Sequence, residues 1–328
     1  MTGGIIAAGN WIVDRVKTID RWPEQGTLCN ILAEEVAGGG GPCNVLFDLA
    51  MMDPAIPLAA AGRVGDDDGG RFLLAEIDRR GIDRHLLKIQ SGVPTAHTDV
   101  MSGEGKRTFF HCRGANDFFG VEDLLESDAS AKIFYLGYLM LLDRLDADDP
   151  DYGIAGARLL DAMRQRGMLT VVDFVSEAPE KFRRAVQSVL PYIDVLVINE
   201  IEAGNSFGMV IRRADGTLDR TALAEACRRF IAGGAAQVIV HYPEGAYALT
   251  ADGTELEIPS CKVERIAGTN GAGDAFCAGV LYGLYNDLPL AETLRLASAS
   301  AAFNLGSPTA SGGAVPVAEL RKFLAAQG

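Results

Sequence analysis

The sequence has no apolar run that reaches the ~20 residues a helix needs to span a bilayer. Its first residues also lack the pattern of a secretory signal, a basic segment followed by an apolar core and a cleavage site. We therefore expect a cytoplasmic location and no membrane partner.

Positive charge is scarce as well, since 30 Lys and Arg residues stand against 44 Asp and Glu residues and leave a net charge of −14. Binding to nucleic acids or to anionic membranes depends on clustered Lys and Arg side chains. The composition therefore argues against a nucleic-acid partner, and any polyphosphate must be bound by a local site.

The six cysteines are scattered, with no Cys-x-x-Cys pair and no His at the spacing of a metal ligand. This pattern indicates free thiols in a reducing compartment. Aromatic residues make up only 7% of the chain, whereas it contains 38 Gly residues and is 48% hydrophobic. Such a composition favours helices packed closely on a buried sheet and argues against disorder or a fibrous repeat.

A strand followed by a helix recurs through the second half of the chain. Apolar segments at 131–139, 169–175 and 194–199 have the length of buried strands, and helical patterns separate them. This alternation implies right-handed crossovers and a mostly parallel, doubly wound sheet with helices on both faces. Since the chain shows no internal repeat or linker, we predict a single α/β domain over residues 1–328.

Two segments depart from that alternation, at about 12–37 and 92–113. Both alternate apolar and polar residues as strands do, and the second contains the turn sequence Ser-Gly-Glu-Gly at 102–105. They are too similar to strands to form the crossover helices of a plain doubly wound fold. We predict that they form a small β-sheet outside the main one, placed as a lid.

The stretch Gly-Thr-Asn-Gly-Ala-Gly-Asp-Ala-Phe at 268–276 is typical of a tight loop that begins a helix. The first N–H groups of a helix have no partner within the helix, so Gly271, Ala272 and Gly273 can hold a phosphate. Asp274 has two interpretations. It is either a solvated acid of the first helical turn, or a base that takes the proton of a hydroxyl attacking that phosphate.

This stretch resembles the C-terminal signature of the ribokinase (PfkB) family of sugar and nucleoside kinases, Asp-Thr-x-Gly-Ala-Gly-Asp. The resemblance implies a ribokinase-like fold and ATP with Mg²⁺ as cofactors. One position departs, because Gly268 stands where the family has an Asp associated with a monovalent-cation site. We therefore expect little dependence on a monovalent cation, unless another carboxylate, such as that of Glu264, replaces the missing ligand.

The acceptor side of the site is expected in the first fifth of the chain. Asp14 follows the first buried strand, and from residue type alone it is equally a turn residue or a ligand. A glycine run before a helix is by itself only a hinge. The family motif Gly-Gly-x-x-x-Asn matches Gly39, Gly40 and Asn44, so the resemblance implies that Asp14 and Asn44 bind sugar hydroxyls.

The nucleotide side is expected further along the chain. Asn199 and Glu202 match the family motif Asn-x-x-Glu, which the resemblance assigns to the water shell of Mg²⁺ and to the phosphates, with no direct protein ligand to the metal. Without the family, both are ordinary helix-start residues. His241 at a strand end, Gly245 in a turn and Ser298 on a helix of small residues complete the expected nucleotide contacts.

The resemblance implies transfer of the γ-phosphate of ATP to a hydroxyl of a sugar or sugar derivative, with Asp274 as general base. On the predicted lid, Arg107 and Arg113 are candidates to bind a carboxylate or phosphate of the acceptor, although a solvated rim is the alternative. A homodimer formed through the lid is a further expectation.

Two other functions stay open. The Thr-Asn-Gly variant of the signature also occurs in adenosine-type kinases, so the acceptor is alternatively a nucleoside. A non-catalytic sensor of sugars or nucleotides is compatible with the same fold. A dinucleotide-binding oxidoreductase is disfavoured, because the glycine run at 38–41 lacks the G-x-G-x-x-G spacing.

Overall fold

The structure is a computed structural model that describes residues 3–175, 179–263, 265–307 and 309–327. Its strands are β1 (Ile5–Gly9), β2 (Ile12–Ile19), β3 (Ile31–Gly39), β4 (Leu58–Gly65), β5 (Asp83–Gln90), β6 (His97–Gly103), β7 (Lys106–Cys112), β8 (Ile133–Leu139), β9 (Asp148–Asp149), β10 (Gly153–Ile154), β11 (Leu169–Phe174), β12 (Val195–Asn199), β13 (Gln237–Tyr242), β14 (Gly245–Thr250) and β15 (Glu255–Pro259).

The α-helices are α1 (Gly41–Met52), α2 (Asp68–Arg79), α3 (Glu122–Leu125), α4 (Asp143–Asp146), α5 (Ala155–Gln165), α6 (Pro179–Val189), α7 (Glu200–Phe207), α8 (Arg220–Ala232), α9 (Ala272–Tyr285), α10 (Leu290–Asn304) and α11 (Val317–Gln327). Short 3₁₀ helices lie at Gly114–Phe118 and Leu190–Tyr192. None of the described helices is both long enough and apolar enough to cross a membrane.

The main sheet has nine strands in the described part of the chain, in the order β15-β14-β13-β12-β11-β8-β1-β4-β5. From β5 to β13 neighbouring strands are parallel, whereas β14 runs antiparallel to both of its neighbours. All five residues of β1 are buried. Such uninterrupted apolar strands are expected where helices cover both faces of a sheet, so the predicted fold class is confirmed.

The two faces of the sheet carry separate hydrophobic cores. Along β1, Ile5 and Ala7 face one core, and Ile6 and Ala8 face the other, because successive side chains of a strand point to opposite faces. Helices α1, α2, α9, α10 and α11 contribute to the first core, and α5, α6, α7 and α8 to the second. The site described below is built on the first set of helices and on the strand ends.

The segments predicted to lie outside the main sheet form a separate four-stranded sheet in the order β3-β2-β6-β7. Strand β2 is antiparallel to β3 and parallel to β6, and β6 and β7 form a hairpin over the predicted turn at 102–105. The outer strands β3 and β7 are largely exposed. The predicted small sheet is therefore confirmed.

Helices α9 and α10 pack closely because α9 has small residues at the contact. A Cβ atom on Gly279 would lie 2.4 Å from the Cα atom of Ala297, and one on Gly283 would lie 2.3 Å from the Oγ1 atom of Thr293. Both distances are too short for real atoms, so the two helices can keep this separation only with glycine at these positions. The repeat of small residues along α9 is a packing requirement.

We expect Gly279→Ala to lower the free energy of unfolding by about 1–3 kcal/mol, because the added methyl group overpacks the α9–α10 contact. Urea unfolding followed by circular dichroism measures the change. Gly3→Ala is the control, since a Cβ atom there meets no atom within 4 Å. Equal stability of the Gly279→Ala variant and the wild type would contradict this account of the packing.

Candidate active site

The carboxyl ends of β8, β11, β12 and β13 meet at one edge of the main sheet, next to the N-terminus of α9. The small sheet covers the same edge. Together they enclose a cavity of about 400 Å³, which we call the inner cavity. Ligands bind at the carboxyl ends of strands in open α/β sheets, so this is the expected position for a site. Its lining includes Asp14, Asn44, Asp173, Glu202 and Asp274.

Asp274 lies in the first turn of α9 and is buried, with 6% of its surface exposed. The Nδ2 atom of Asn44 donates a hydrogen bond of 2.8 Å to its Oδ2 atom, and the Tyr138 hydroxyl donates to Oδ1. Burial raises the pKa of Asp274 to about 6, although both hydrogen bonds lower it. The solvated interpretation of Asp274 is therefore wrong.

Asn44 reaches Asp274 from α1, across 230 residues of sequence. Its Nδ2 atom is used in that hydrogen bond, whereas its buried Oδ1 atom has no hydrogen-bond partner in the described structure. A buried acceptor without a partner is costly, so an external donor such as a hydroxyl is expected to bind it.

Asp14 enters the inner cavity from β2. Burial raises its pKa to about 6, a hydrogen bond with Thr98 lowers it, and the nearby charge of Asp274 raises it further. A Cβ atom on Gly39 would lie within 2.4–2.7 Å of the Asp14 carboxylate atoms. Gly39 therefore provides the space that this carboxylate occupies and does not itself line the cavity, whereas Gly40 does.

Asn199 and Glu202 form a capping box at the start of α7. The Asn199 side chain accepts hydrogen bonds of 2.9 Å from the N–H groups of Ile201 and Glu202, and the Glu202 carboxylate accepts one of 3.1 Å from the Asn199 N–H. The helix-start interpretation of both residues is thus correct. Both also line the inner cavity, so the two interpretations are compatible.

Asp173, at the end of β11, faces the same cavity. Burial and the neighbouring charges of Glu202 and Asp274 hold the pKa of Asp173 well above its usual range. Four carboxyl groups therefore line the inner cavity, those of Asp14, Asp173, Glu202 and Asp274. No Lys or Arg among the described residues lines it. In that part of the chain, no three His, Cys, Asp or Glu side chains are placed to ligate a metal together.

The N-terminus of α9 is shaped as an anion site. Gly271 precedes the helix with φ 74°, a left-handed conformation that a residue with a side chain rarely adopts. The N–H groups of Ala272, Gly273 and Asp274 follow, and the first N–H groups of a helix have no partner within the helix. The loop is held to α10, since the Nδ2 atom of Asn304 donates a hydrogen bond of 2.8 Å to the Asn270 carbonyl.

A second cavity of about 400 Å³, the outer cavity, lies on the other side of this loop. His241, Gly245 and Ser298, which sequence reasoning assigned to the nucleotide, all line it. Burial lowers the pKa of His241 to about 4, so its ring is neutral near pH 7. The centres of the His241 and Phe276 rings are 5.1 Å apart. His241 and Gly273 line both cavities and so form their common wall.

Two predicted residues lie apart from the inner cavity. The Nη1 atom of Arg113 donates a hydrogen bond of 2.7 Å to Asp143, outside the cavity lining. Arg107 lines a third cavity, between the small sheet and the loop at 266–270. Glu264, considered above as a substitute cation ligand, lies outside the described residues.

Sequence reasoning missed several residues of the inner cavity, among them the polar residues Tyr138, Asp173 and Thr98. Asp173 was accessible to prediction, because it lies at the carboxyl end of a predicted strand. Tyr138 and Thr98 carry no such signal, since an aromatic or a Thr residue in a strand is usually explained by packing.

A carboxylate of raised pKa beside the free N–H groups of a helix suits a phosphotransferase that acts on an alcohol group, and the family to which this chain belongs has that activity. The chain belongs to the pfkB family of carbohydrate kinases, whose model matches residues 11–317. Kinases of this family use ATP with Mg²⁺.

Individual relatives differ in what they act on. The chain is 25% identical to a 5-dehydro-2-deoxygluconokinase of Geobacillus kaustophilus, over 87% of this chain and 84% of that protein. It is also 25% identical to an adenosine kinase of Saccharomyces cerevisiae, over 83% of this chain and 78% of that protein.

The fold matches that of an Arabidopsis thaliana ribokinase solved with ribose and ATP, with a TM-score of 0.81, 21% identity and 99% coverage of both chains. A Burkholderia thailandensis nucleoside kinase solved with inosine matches with a TM-score of 0.74 and 18% identity, over 98% of both chains.

We expect Tyr138→Phe to raise the pKa of Asp274 above its value of about 6. The Tyr138 hydroxyl stabilises the charged carboxylate by a hydrogen bond, and the variant loses this bond. ¹³C NMR of the Asp carboxyl carbons during a pH titration measures this, with the signal assigned by its loss in Asp274→Asn. Tyr135→Phe is the control, since the buried Tyr135 hydroxyl does not bond Asp274. An unchanged or lower pKa in Tyr138→Phe would count against this origin of the shift.

Proposed function

We propose that this protein transfers the γ-phosphate of ATP to a hydroxyl of a sugar or sugar derivative, with Asp274 as the general base. The observation that carries the proposal is the position of Asp274, a buried carboxylate of raised pKa in the same helical turn as an anion-binding N-terminus. A carboxylate repels phosphate, so this juxtaposition is useful only where a proton must leave a hydroxyl beside the phosphate.

The acceptor binds in the inner cavity. Asp14 accepts hydrogen bonds from its hydroxyls, and the unpartnered Oδ1 atom of Asn44 accepts another. Asn44 also holds the Asp274 carboxylate in place through its Nδ2 atom. One side chain thus positions both the acceptor and the base, which favours a hydroxyl aligned for attack.

The phosphates bind at the N-terminus of α9. The N–H groups of Gly271, Ala272 and Gly273 point to where negative charge develops during transfer, and they are fixed in advance by the loop. Asp274 takes the proton from the attacking oxygen atom as the new bond to phosphorus forms.

The residues at the strand ends fit a hydrated Mg²⁺ ion. Asp173, Glu202 and Asn199 bring oxygen atoms to one side of the inner cavity, and the mutual repulsion of Asp173 and Glu202 makes a cation there favourable. Mg²⁺ retains several water molecules in such sites, so few protein oxygen atoms need contact the ion directly. When bound, the ion neutralises charge on the phosphate oxygens.

The adenosine part of ATP binds in the outer cavity. The helix α10 presents small residues there, among them Ser298, whose hydroxyl accepts a hydrogen bond of 3.2 Å from the Cys261 N–H. Small side chains let a flat base approach the backbone. Because the His241 ring on the common wall is neutral, it neither attracts nor repels the phosphates as a charged group would.

We treat the chain as a single catalytic domain over 1–328, with the small sheet as a lid at about 12–37 and 92–113. Thr98, Phe109 and His111 extend from it into the inner cavity. Closure of this sheet over the acceptor would exclude water, which otherwise accepts the phosphoryl group. The unpaired cysteines of the described chain agree with a cytoplasmic location, where ATP is available.

We expect Asp274→Asn to lower kcat by about 10²–10⁴-fold while the KM values for ATP and acceptor change little, since the base acts only as the proton leaves. A coupled assay of ADP formation over a panel of sugars and nucleosides measures this and identifies the acceptor. Asp68→Asn is the control, because Asp68 is also an acid in the first turn of a helix, α2, but is exposed and does not line the inner cavity. Near-normal turnover in Asp274→Asn would overturn the assignment, and no turnover of any acceptor by the wild type would favour the sensor.

Potassium should activate this enzyme less than twofold, because Gly268 offers no carboxylate to a monovalent cation. The loop is held instead by its backbone, since the N–H groups of Ala267 and Gly268 donate hydrogen bonds of 2.8 and 3.3 Å to the Leu305 carbonyl. Initial rates with potassium and with tetramethylammonium, at equal ionic strength and saturating Mg-ATP, provide the test. A several-fold rise with potassium would refute the proposal.

The lid is also the proposed site of a homodimer. Ile31, Leu32 and Val36 on β3 and Phe110 on β7 are 51–65% exposed, and both strands are edges of their sheet. Exposed apolar edge strands tend to pair with other chains.

We therefore expect sedimentation velocity to give a mass of twice the 34.8 kDa of one chain. In the Leu32→Glu, Val36→Glu variant the mass should fall to that of one chain, because two charges are buried on pairing. Lys322→Glu on α11, an exposed position away from the small sheet, is the control for the same change in charge. A monomeric wild type, or a dimer unaffected by the double change, would exclude this interface.

A further inference from the structure

Tyr138, near the end of β8, is one of the two side chains that hold the Asp274 carboxyl group, since its hydroxyl donates a hydrogen bond to the Oδ1 atom. Leu141, in the turn that follows β8, lines the same inner cavity. An aromatic side chain carries any displacement of its own backbone to its hydroxyl group. The geometry at Asp274 therefore depends on what fixes the backbone at 138–141.

Pairing within the main sheet does not by itself fix this segment. The described ladder between β1 and β8 ends at the pair of Gly9 and Gly137. On the other side of β8, the register with β11 shifts between Val172 and Phe174. Because buried backbone groups need hydrogen-bond partners, the N–H group of Tyr138 requires an acceptor beyond the ladder with β1.

Asn10, which directly follows β1, supplies this acceptor. The Tyr138 N–H donates a hydrogen bond to the Oδ1 atom of Asn10, and the Nδ2 atom of Asn10 donates one of 3.0 Å to the Leu141 carbonyl. An amide side chain can accept and donate at the same time, so one residue joins both ends of the segment. Asn10 is fully buried, and its own N–H donates a hydrogen bond of 3.1 Å to the Gly137 carbonyl.

The loop that begins α1 lies directly against Asn10. A Cβ atom on Gly40, which has φ 88°, would lie 2.2 Å from the carbonyl oxygen of Asn10. The Gly40 carbonyl in turn accepts a hydrogen bond of 3.0 Å from the N–H of Asn44, whose side chain is the other donor to Asp274. Asn10 is therefore in contact with both segments that carry the donors to the Asp274 carboxyl group.

The turn after Tyr138 has a backbone conformation that needs support. Met140 has φ 85°, in the left-handed region that a residue with a side chain rarely adopts. The carboxyl group of the buried Asp146 accepts hydrogen bonds of 2.8 and 2.9 Å from the N–H groups of Met140 and Leu142. Such a conformation persists only where the surrounding contacts determine it, and Asp146 and Asn10 provide these contacts.

We propose that Asn10 is a positioning residue, whose side-chain amide fixes the segment 138–141 so that the Tyr138 hydroxyl meets the Asp274 carboxyl group. The inference rests on the proposed role of Asp274 as general base and adds the residue that places its hydrogen-bond donor. Asn10 is not part of the described lining of the inner cavity, so its effect on the reaction passes through Tyr138.

The test is a double-mutant cycle with Asn10→Ala, Tyr138→Phe and the variant that carries both changes. ¹³C NMR of the Asp carboxyl carbons measures the pKa of Asp274 in the full chain without substrates, and ADP formation measures kcat and KM. Thermal unfolding followed by circular dichroism shows which variants are folded. Asn10→Ser, whose hydroxyl can replace one of the two amide hydrogen bonds, is the milder variant to compare if Asn10→Ala does not fold.

Asn116→Ala is the matched control. Asn116 is also a fully buried Asn residue, and its Oδ1 atom accepts a hydrogen bond of 3.2 Å from the N–H of Trp11, the residue next to Asn10. Its loss should lower Tm as the loss of Asn10 does, while the pKa of Asp274 stays the same. The comparison separates the positioning of Tyr138 from a general loss of stability.

We expect Asn10→Ala to raise the pKa of Asp274 above its value of about 6, in the same direction as Tyr138→Phe. A displaced Tyr138 hydroxyl no longer stabilises the charged carboxylate, so the base is protonated up to a higher pH. The acidic limb of the pH profile of kcat should therefore move to higher pH.

The value of kcat should fall about ten- to a hundredfold in Asn10→Ala, the size of effect expected when a reacting group is displaced by about 1 Å. The KM for ATP should stay within about twofold. When Tyr138→Phe is already present, Asn10→Ala should change the pKa and kcat little further, because two residues that act through one contact are not additive.

An unchanged pKa of Asp274 in a folded Asn10 variant, the same effect of Asn10→Ala with and without the Tyr138 hydroxyl, or an equal shift in Asn116→Ala would overturn the inference. The expected changes of pKa with no turnover of any acceptor by the wild type would remove the proposed kinase function and leave the positioning role supported. Turnover by the wild type with an unchanged pKa in Asn10→Ala would do the reverse.

Discussion

The site depends on the accumulation of negative charge in one small cavity at the strand ends. Asp14, Asp173, Glu202 and Asp274 share one small cavity, in which the charge of Asp274 raises the pKa of Asp14 and of Asp173, and the charge of Glu202 raises the pKa of Asp173 further. The surrounding structure tolerates this because hydrogen bonds from Asn44 and Tyr138 favour the charged form of Asp274. A cation bound among these carboxyl groups would relieve the remaining repulsion, so its binding and their ionisation would be coupled.

The placement of Asp274 requires close packing behind it. Helix α9 can bring its first turn to the strand ends because glycines let it lie against α10, and α1 packs beside it to deliver Asn44. All three helices belong to the core on one face of the main sheet. The N-terminus of α9, the Asp274 carboxyl group and the Asn44 side chain that bonds it are therefore carried by helices of one packed core.

Much of this arrangement could be predicted from the sequence. The buried strands, the hairpin at 97–112 and the glycine-rich helix start all follow from local patterns, because each depends on residues close together in the chain. Strand β5 was missed, since its first residues Asp83, Arg84 and His85 are polar and it lies at the sheet edge. The roles of Tyr138 and Gly39 were also out of reach, because they depend on contacts between distant segments that no local pattern encodes.

The small sheet contributes a different kind of residue from the main body. Asp14, Thr98, Phe109 and His111 line the inner cavity from strands that pack little into either core, while Asp274 lies on the buried helix α9. Substitutions on these strands can therefore change the lining of the inner cavity at a small cost in folding stability. That part of the lining can vary while the buried helix that carries Asp274 stays as it is.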